Sequence, residues 1–354
     1  MNKWKVGVIG TGGIATDRHI PALLSLPHLA EMIAVQDVDR ERALRVAKEF
    51  EVPHVCTSPE ELLDIVDAVI ICTPNKFHAE LSIKALNRGV HVLCEKPMAM
   101  DRHEAEAMLR AAQENDRTLA IAYHYRHTPE GIMAKRVTEA GELGKPLVAR
   151  VQAMRRRKVP GWGVFTDKDL QGGGSLIDFG CHLLDLSLWL LGNPEPVEVS
   201  AQTYNELSRT PGQVNDWGEV DPESFEVDDH VTSYIRFENG VTLQFECSWA
   251  ANIKEDHTTL SISGVQGGLD VYPFELYQSK HGAVWDATPV MREEESEWAG
   301  KRQIANFLEG LDGGEKLAVH PEEALRVTKI IDAMYESSRT GQAVVMNRQE
   351  EELR

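Results

Sequence analysis

Two polar side chains stand out because of the stretch that carries them. Residues 171–192 read Gln-Gly-Gly-Gly-Ser-Leu-Ile-Asp-Phe-Gly-Cys-His-Leu-Leu-Asp-Leu-Ser-Leu-Trp-Leu-Leu-Gly, with Asp178 and His182 set in a nearly continuous apolar run. Residues four apart on a helix share a face, and burying a carboxylate and an imidazole there is costly unless each has a partner. An imidazole with an ordinary pKa of about 6.5 is suited to accept a proton near neutral pH, and an adjacent carboxylate can orient it or hold a neighbouring hydroxyl. Spacing alone leaves a structural reading equally open, in which both groups are satisfied inside the helix. The three glycines permit unusual backbone angles and a very close approach of another segment. Ser175 is placed to cap the helix, Asp178 to complement its N-terminus, and Gly192 to end it.

A third group, Lys96, follows the apolar run Val90–Cys94 and is flanked by Glu95 and Pro97. A lysine at a strand end is often merely solvated. At the ligand-binding edge of a parallel sheet, its charge would instead favour alkoxide character on a substrate hydroxyl. A fourth feature is Gly10-Thr11-Gly12-Gly13-Ile14-Ala15, which matches G-x-G-x-x-A directly after residues 3–9, which read as a buried strand, and ahead of a helical pattern through Leu26. A second strand ends at Asp37. Strand, glycine turn, helix, strand and terminal acid make up a dinucleotide fingerprint: Gly10 for the turn, Gly12 for approach of a pyrophosphate, and Asp37 for the ribose hydroxyls. The helix N-terminus offers amide donors and a positive dipole end for phosphate.

The elements that must position these groups alternate. Helical patterns over 40–50, 58–65, 77–88 and 101–115 separate strands at 54–56, 67–72, 90–94 and 119–122, with Ser58 and Asp101 as caps. This predicts a doubly wound parallel sheet whose ligands lie beyond the strand carboxyl ends, where Thr73-Pro74-Asn75 and Glu95-Lys96-Pro97 fall. After Tyr123 the pattern changes, dividing the chain into residues 1–124 and 125–354. The second part reads as a helix over 128–141, a strand over 147–154 ending in the basic run Arg155–Lys158, and a loop over 160–171 holding Trp162. The glycine-led helix and a series of extended segments follow, broken by a polar, acidic loop over 207–226. Helices over 295–311 and 321–339 and a charged tail close the chain. In 241–251, Val241, Leu243, Phe245, Cys247 and Trp249 alternate with Thr242, Gln244, Glu246 and Ser248, as in a sheet covered by helices on one face. The central helix is the natural cover.

Composition narrows the field. With 37 basic and 56 acidic residues among 354, the net charge of −19 is the opposite of a nucleic-acid footprint and disfavours anionic membranes. Five scattered cysteines suit free thiols in a reducing compartment, and no apolar run reaches membrane-spanning length. Residues 3–9 leave no room for a signal peptide, so a cytoplasmic location is expected. No zinc-ligand spacing occurs, and His124, Arg126 and His127 are too mixed to count as a metal site.

Several motifs coincide in one order: G-T-G-G-I-A, T-P-N-x-x-H at Thr73–His78, E-K-P at Glu95–Pro97, Tyr-Arg-x-x-Pro at Tyr125–Pro129, and G-G-G-x-L-x-D-x-G-x-H-x-x-D at Gly172–Asp185. In these the chain resembles the Gfo/Idh/MocA oxidoreductases over essentially its whole length. The resemblance implies a Rossmann domain followed by an α/β domain with a large, open, mostly antiparallel sheet. It also implies oxidation of a secondary hydroxyl of a sugar or cyclitol, or the reverse reduction, with NAD or NADP. By motif, Lys96, Asp178 and His182 would be catalytic, with Lys96 an alternative proton carrier. Gly10, Thr11, Gly12, Gly13, Ile14, Asp37, Thr73, Pro74, Asn75, His78, Glu95 and Lys96 would hold the dinucleotide. Substrate would meet Lys96, Tyr123, Arg126, Trp162, Asp178 and His182. Asp37 favours NAD by repelling a 2′-phosphate, although Arg40 could pair with that phosphate. A homodimer or homotetramer formed through the open sheet is implied, with Thr232, Tyr234, Arg236, Thr242, Gln244 and Glu246 on the exposed face. The competing reading is a dinucleotide-binding sensor or regulator that has lost the chemistry.

Overall fold

The computed structural model describes residues 3–290, 298–311 and 317–346. The chain divides into two compact units, Met1–His127 with Ser296–Leu325, and Thr128–Glu295 with Arg326–Arg354.

The first unit is built on six strands: β1 (Trp4–Ile9), β2 (Ala30–Gln36), β3 (His54–Val55), β4 (Ala68–Ile71), β5 (His91–Cys94) and β6 (Leu119–Ile121). All pair in parallel, in the order β3-β2-β1-β4-β5-β6. The order reverses between β1 and β4, which opens the ligand crevice at their carboxyl ends. Helices start where short polar side chains accept the first amides: Asp39 from Arg42, Ser58 from Glu61, and Asp101 from His103 and Glu104.

The first unit also includes a later segment. Helix Ala299–Gly310 buries Ile304, Phe307 and Leu308 in the same core as Val6, Val8, Val35 and Ile70. The contiguous break at 124/125 therefore differs from the packing, because an apolar helix face distant in sequence completes this core. Residues 295–297, the expected start of that helix, lie outside the described residues.

The second unit carries nine strands: β7 (Pro146–Met154), β8 (Pro196–Tyr204), β9 (His230–Phe237), β10 (Thr242–Ser248), β11 (His257–Gly264), β12 (Gly267–Asp270), β13 (Glu275–Lys280), β14 (Ala283–Ala287) and β15 (Val344–Val345). Their order is β14-β13-β12-β11-β7-β10-β9-β8-β15, and β7–β10 is the parallel pair in an otherwise antiparallel sheet. Strand β14 is exposed throughout and has no buried alternation to announce it; it forms as the second arm of a hairpin with β13. β15 pairs with β8 where a charged tail was expected, and residues 347–354 of that tail lie outside the described residues.

Phe245, Cys247 and Trp249 are buried as their alternation predicts. The helical run Leu176–Leu190 covers them, entering as a π turn over Leu176–Gly180 and continuing as an α-helix over Cys181–Leu190. Gly180 lets it lie close, since a Cβ there would sit 2.9 Å from Cys247 Sγ and 3.0 Å from the Phe245 ring.

Candidate active site

At the β1/β4 edge, the backbone of Gly10 takes φ +86°, and a Cβ would sit 2.6 Å from the Cys72 carbonyl oxygen. No other residue fits there without strain. Gly12 is different, for a Cβ on it would meet no atom of the described residues within 4 Å. Its bareness has no cause among those residues and fits close approach by a ligand. Gly13 and Ile14 begin the helix, so amide donors face this edge. The carboxylate of Asp37 is almost wholly buried and rigidly held. Its Oδ2 accepts from the amide (2.7 Å) and hydroxyl (2.9 Å) of Thr11, and its Oδ1 from the amide of Asp39 (2.8 Å). The guanidinium beside it belongs to Arg42, 3.3 Å from Oδ1, rather than to Arg40. The Thr73 hydroxyl, at the end of β4, is buried with no hydrogen-bond partner among the described residues. Bare Gly12, the helix amides, the fixed Asp37 and the Thr73 hydroxyl suit a dinucleotide.

His78 was expected close to the nicotinamide end, yet it is fully buried between two loops. Its Nδ1 lies 2.8 Å from the Pro97 carbonyl and its Nε2 3.0 Å from the Thr73 carbonyl. A neutral ring donates to one of them, and burial pushes its pKa down. His78 thus fastens the Thr73-Pro74-Asn75 loop to the loop that carries Lys96. Asn75, in the short 3₁₀ turn Asn75–Phe77, is buried.

Beside half-buried Lys96, Glu95 is buried on two fixed partners. His19 Nε2 donates to Oε1 at 2.7 Å, and the Lys96 amide donates to Oε2 at 3.1 Å. Burial alone would raise the Glu95 pKa, but the His19 hydrogen bond and the charges of His19, Lys96 and Arg18 hold it at about 2. His19 reaches Glu95 from a π turn, Ala15–His19, in the helix that follows the glycine motif. Sequence reading missed this pair, although a histidine inside an apolar helical pattern was its signal.

Tyr123 is fully buried, at the end of β6. Arg126, expected to meet substrate, is 1% exposed; it pairs with Glu323 and donates to the Ala318 carbonyl at 2.7 Å. The arginine holds the returning segment of the first unit.

In the second unit the three glycines have separate causes. Gly172 takes φ +81°, a Cβ on Gly173 would strike the Tyr335 hydroxyl, and one on Gly174 would strike the Asp228 carbonyl. Ser175 does not cap the helix, because its own backbone is already helical. The capping group is Asp228, whose carboxylate accepts from the Gly174 amide (2.8 Å), the Ser175 hydroxyl (2.8 Å), the Leu176 amide (2.9 Å) and the Tyr335 hydroxyl (2.7 Å). No local pattern reveals a cap more than fifty residues away.

The helix so fixed carries Asp178 and His182. His182 is 7% exposed. Asp178 Oδ2 accepts from Trp249 Nε1 at 3.1 Å and faces Arg155 Nη1 at 3.7 Å. The basic run 155–158 is committed internally: the Arg156 guanidinium donates to the Lys254 carbonyl, Lys158 pairs with Asp256, and Arg157 donates to the carbonyls of Val214 and Leu207. Trp162 is 54% exposed on its loop and packs against Phe165 and Trp217.

The first unit is thus a Rossmann dinucleotide-binding fold, and the second a mixed sheet covered by the helix of Asp178 and His182. The sequence model of the oxidoreductase family with an NAD-binding Rossmann fold matches residues 4–123, and that of the GFO/IDH/MocA C-terminal domain matches residues 132–270. This chain belongs to the Gfo/Idh/MocA oxidoreductase family. Among its relatives, D-glucoside 3-dehydrogenase of Escherichia coli K12 is 33% identical, over 96% of this chain and 97% of that one. An NADP-dependent D-xylose 1-dehydrogenase of Haloferax volcanii is 29% identical, over 96% and 99%. GenD2 from gentamicin A biosynthesis, solved in complex with NAD, superposes with a TM-score of 0.79 at 26% identity, covering 98% of this chain and 97% of that one.

Two largely buried histidines, His124 and His127, should make the first unit acid-sensitive. Burial and the nearby Arg18 lower His124 to about 3, and burial with Arg126 and Arg302 lowers His127 to about 4. Both groups bind protons more readily unfolded than folded, so stability is lost as pH falls below the ordinary histidine pKa, toward about 4 for His127 and about 3 for His124. The slope is up to about 1.4 kcal/mol per pH unit for each histidine. Urea unfolding of the cofactor-free protein should show a steep loss of stability between pH 6.5 and 4, reduced in His124→Gln. A flat profile over that range would contradict the assignment.

Proposed function

We propose that this protein oxidises a secondary hydroxyl of a sugar, sugar derivative or cyclitol with NAD, or reduces the corresponding ketone. The observation that carries the reading is the helix with Asp178 and His182, clamped at its N-terminus by Asp228, in a chain matched end to end by a sugar dehydrogenase. Gly12, the amides at Gly13 and Ile14, Thr11, Asp37 and the Thr73-Pro74-Asn75 loop hold the dinucleotide, which when bound supplies the hydride acceptor.

His182 takes the hydroxyl proton on its imidazole. Asp178, fixed by Trp249 and Arg155, orients the imidazole or a neighbouring hydroxyl. The Lys96 ammonium stabilises the developing charge on the same oxygen. Trp162, half-exposed and braced by Trp217, offers an apolar face to a sugar ring. A sensor without chemistry would have no use for Lys96, Asp178 and His182 together.

The exposed face of the nine-stranded sheet, with Tyr234 at 38% exposure, suits a second copy of the chain, giving a homodimer or homotetramer that light scattering would distinguish from a 39.5 kDa monomer. Among the described residues no helix is long and apolar enough to cross a membrane, and all five cysteines are free and buried. A cytoplasmic enzyme fits these features.

Two outcomes follow. NAD should give the higher kcat/KM, because the Asp37 carboxylate repels a 2′-phosphate; Arg42 makes the preference moderate, and Arg42→Ala should sharpen it. A kcat/KM higher with NADP would overturn this. On a panel of sugars and cyclitols, His182→Ala should lower kcat by about 10²–10⁴-fold. Lys96→Met should cost a comparable factor, with NAD affinity nearly unchanged. If both variants stay within a few-fold of wild type, the assigned roles are wrong.

A further inference from the structure

The acidic stretch that follows β8 shows neither helical nor strand periodicity, yet it is fastened to the segment 157–163. Asn215 exchanges hydrogen bonds with both backbone groups of Val159, each 2.8 Å. The Asp216 amide donates to the Arg157 carbonyl at 2.8 Å, and the Gly161 amide donates to the Trp217 carbonyl at 2.7 Å. Gly161 permits this approach, since a Cβ there would sit 2.7 Å from backbone atoms of Trp217, Gly218 and Glu219. From the other side, the Ser208 amide donates to Asp229 at 2.7 Å.

This fastening brings the indole of Trp217 against Arg155. The guanidinium carbon lies 4.7 Å from the Trp217 ring centroid and 4.1 Å from that of Phe179. Phe179 belongs to the π turn that carries Asp178, whose Oδ2 lies 3.7 Å from Arg155 Nη1. A guanidinium is planar and weakly hydrated, so it stacks on aromatic faces while its edge still reaches a carboxylate; a lysine ammonium has no plane to stack. Two rings thus hold the arginine in one place, and the arginine presents a fixed charge to Asp178. The indole N–H of Trp249, from the end of β10, comes to the same oxygen.

We infer that Arg155 is the positioning residue of Asp178, and that Trp217 acts on the reaction through Arg155, making the 205–226 segment part of the machinery that orients the carboxylate. The inference rests on the role proposed above for Asp178. A double-mutant cycle on kcat/KM, with whichever sugar the wild type oxidises, tests it. Arg155→Met should cost on the order of 10²-fold, the scale set by small misplacements of reacting groups, mainly in kcat and with the KM for NAD unchanged. Arg155→Lys should recover only part of it. Trp217→Ala should cost less and Trp217→Phe, which keeps a ring, almost nothing.

In the Arg155→Met background, Trp217→Ala should add no further loss, because both changes break one route. Additive losses would mean that Trp217 acts by a route other than Arg155, through Trp162 or on the substrate itself, and an Arg155→Met variant within three-fold of wild type would remove Arg155 from the site; either result overturns the inference. Inactivity of the wild type toward every sugar and cyclitol would overturn the functional reading instead, together with this one. The same cycle read in thermal unfolding should show coupling between Arg155 and Trp217, and its absence would contradict the stacked geometry.

Discussion

Four donors meet one carboxylate at the head of the helix that carries Asp178 and His182. Asp228 collects the amides of Gly174 and Leu176, the Ser175 hydroxyl and the Tyr335 hydroxyl, all within 2.9 Å, and is itself buried. The first turn of a helix leaves amides without partners, and at a buried helix end those amides must be satisfied from elsewhere. The negative charge also complements the helix dipole. The glycine triplet follows from this requirement, since any side chain at 173 or 174 would occupy the space of Tyr335 or Asp228. The helix then lies on β10 through Gly180, which sets the depth at which its polar residues emerge.

In both units a π turn near the start of a helix carries a polar side chain to a partner on another element. In one, Ala15–His19 brings His19 to Glu95, the neighbour of Lys96. In the other, Leu176–Gly180 brings Asp178 to Trp249 and Arg155. A π turn adds a residue to the helical repeat and re-aims the side chains around it, and such bulges occur often at functional sites. In each case a carboxylate, Glu95 buried and Asp178 half-buried, is held by donors from a different element. A buried charge in such a place is tolerated because hydrogen bonds replace the water it has lost.

Much of this was legible from short-range pattern. The glycine turn ending at Asp37, the Ser58 and Asp101 caps, and the alternation along β10 all rest on interactions within a few residues or on one repeating period. Arg42 in place of Arg40 is a matter of which helical position faces back to β2, which a count of residues from Asp37 does not resolve. The interactions that sequence reading missed act across long separations. Asp228 caps a helix far upstream, Arg126 secures a segment near residue 320, and Ile304, Phe307 and Leu308 complete a core begun at Val6. Trp217 lies in a stretch without periodicity because its conformation comes from hydrogen bonds to 157–161 rather than from its own sequence.

The Asp228 carboxylate holds the Asp178/His182 helix in place by accepting from its first amides. Kinetics and urea unfolding of Asp228→Ala, compared with Asp228→Asn, address this role directly. Removing the carboxylate leaves several buried donors without an acceptor, at about 1–3 kcal/mol each. The alanine variant should therefore lose several kcal/mol of stability in the second unit and nearly all kcat, while NAD binding persists and asparagine restores part of both. An Asp228→Ala protein with wild-type kcat/KM and an unchanged unfolding curve would contradict the account.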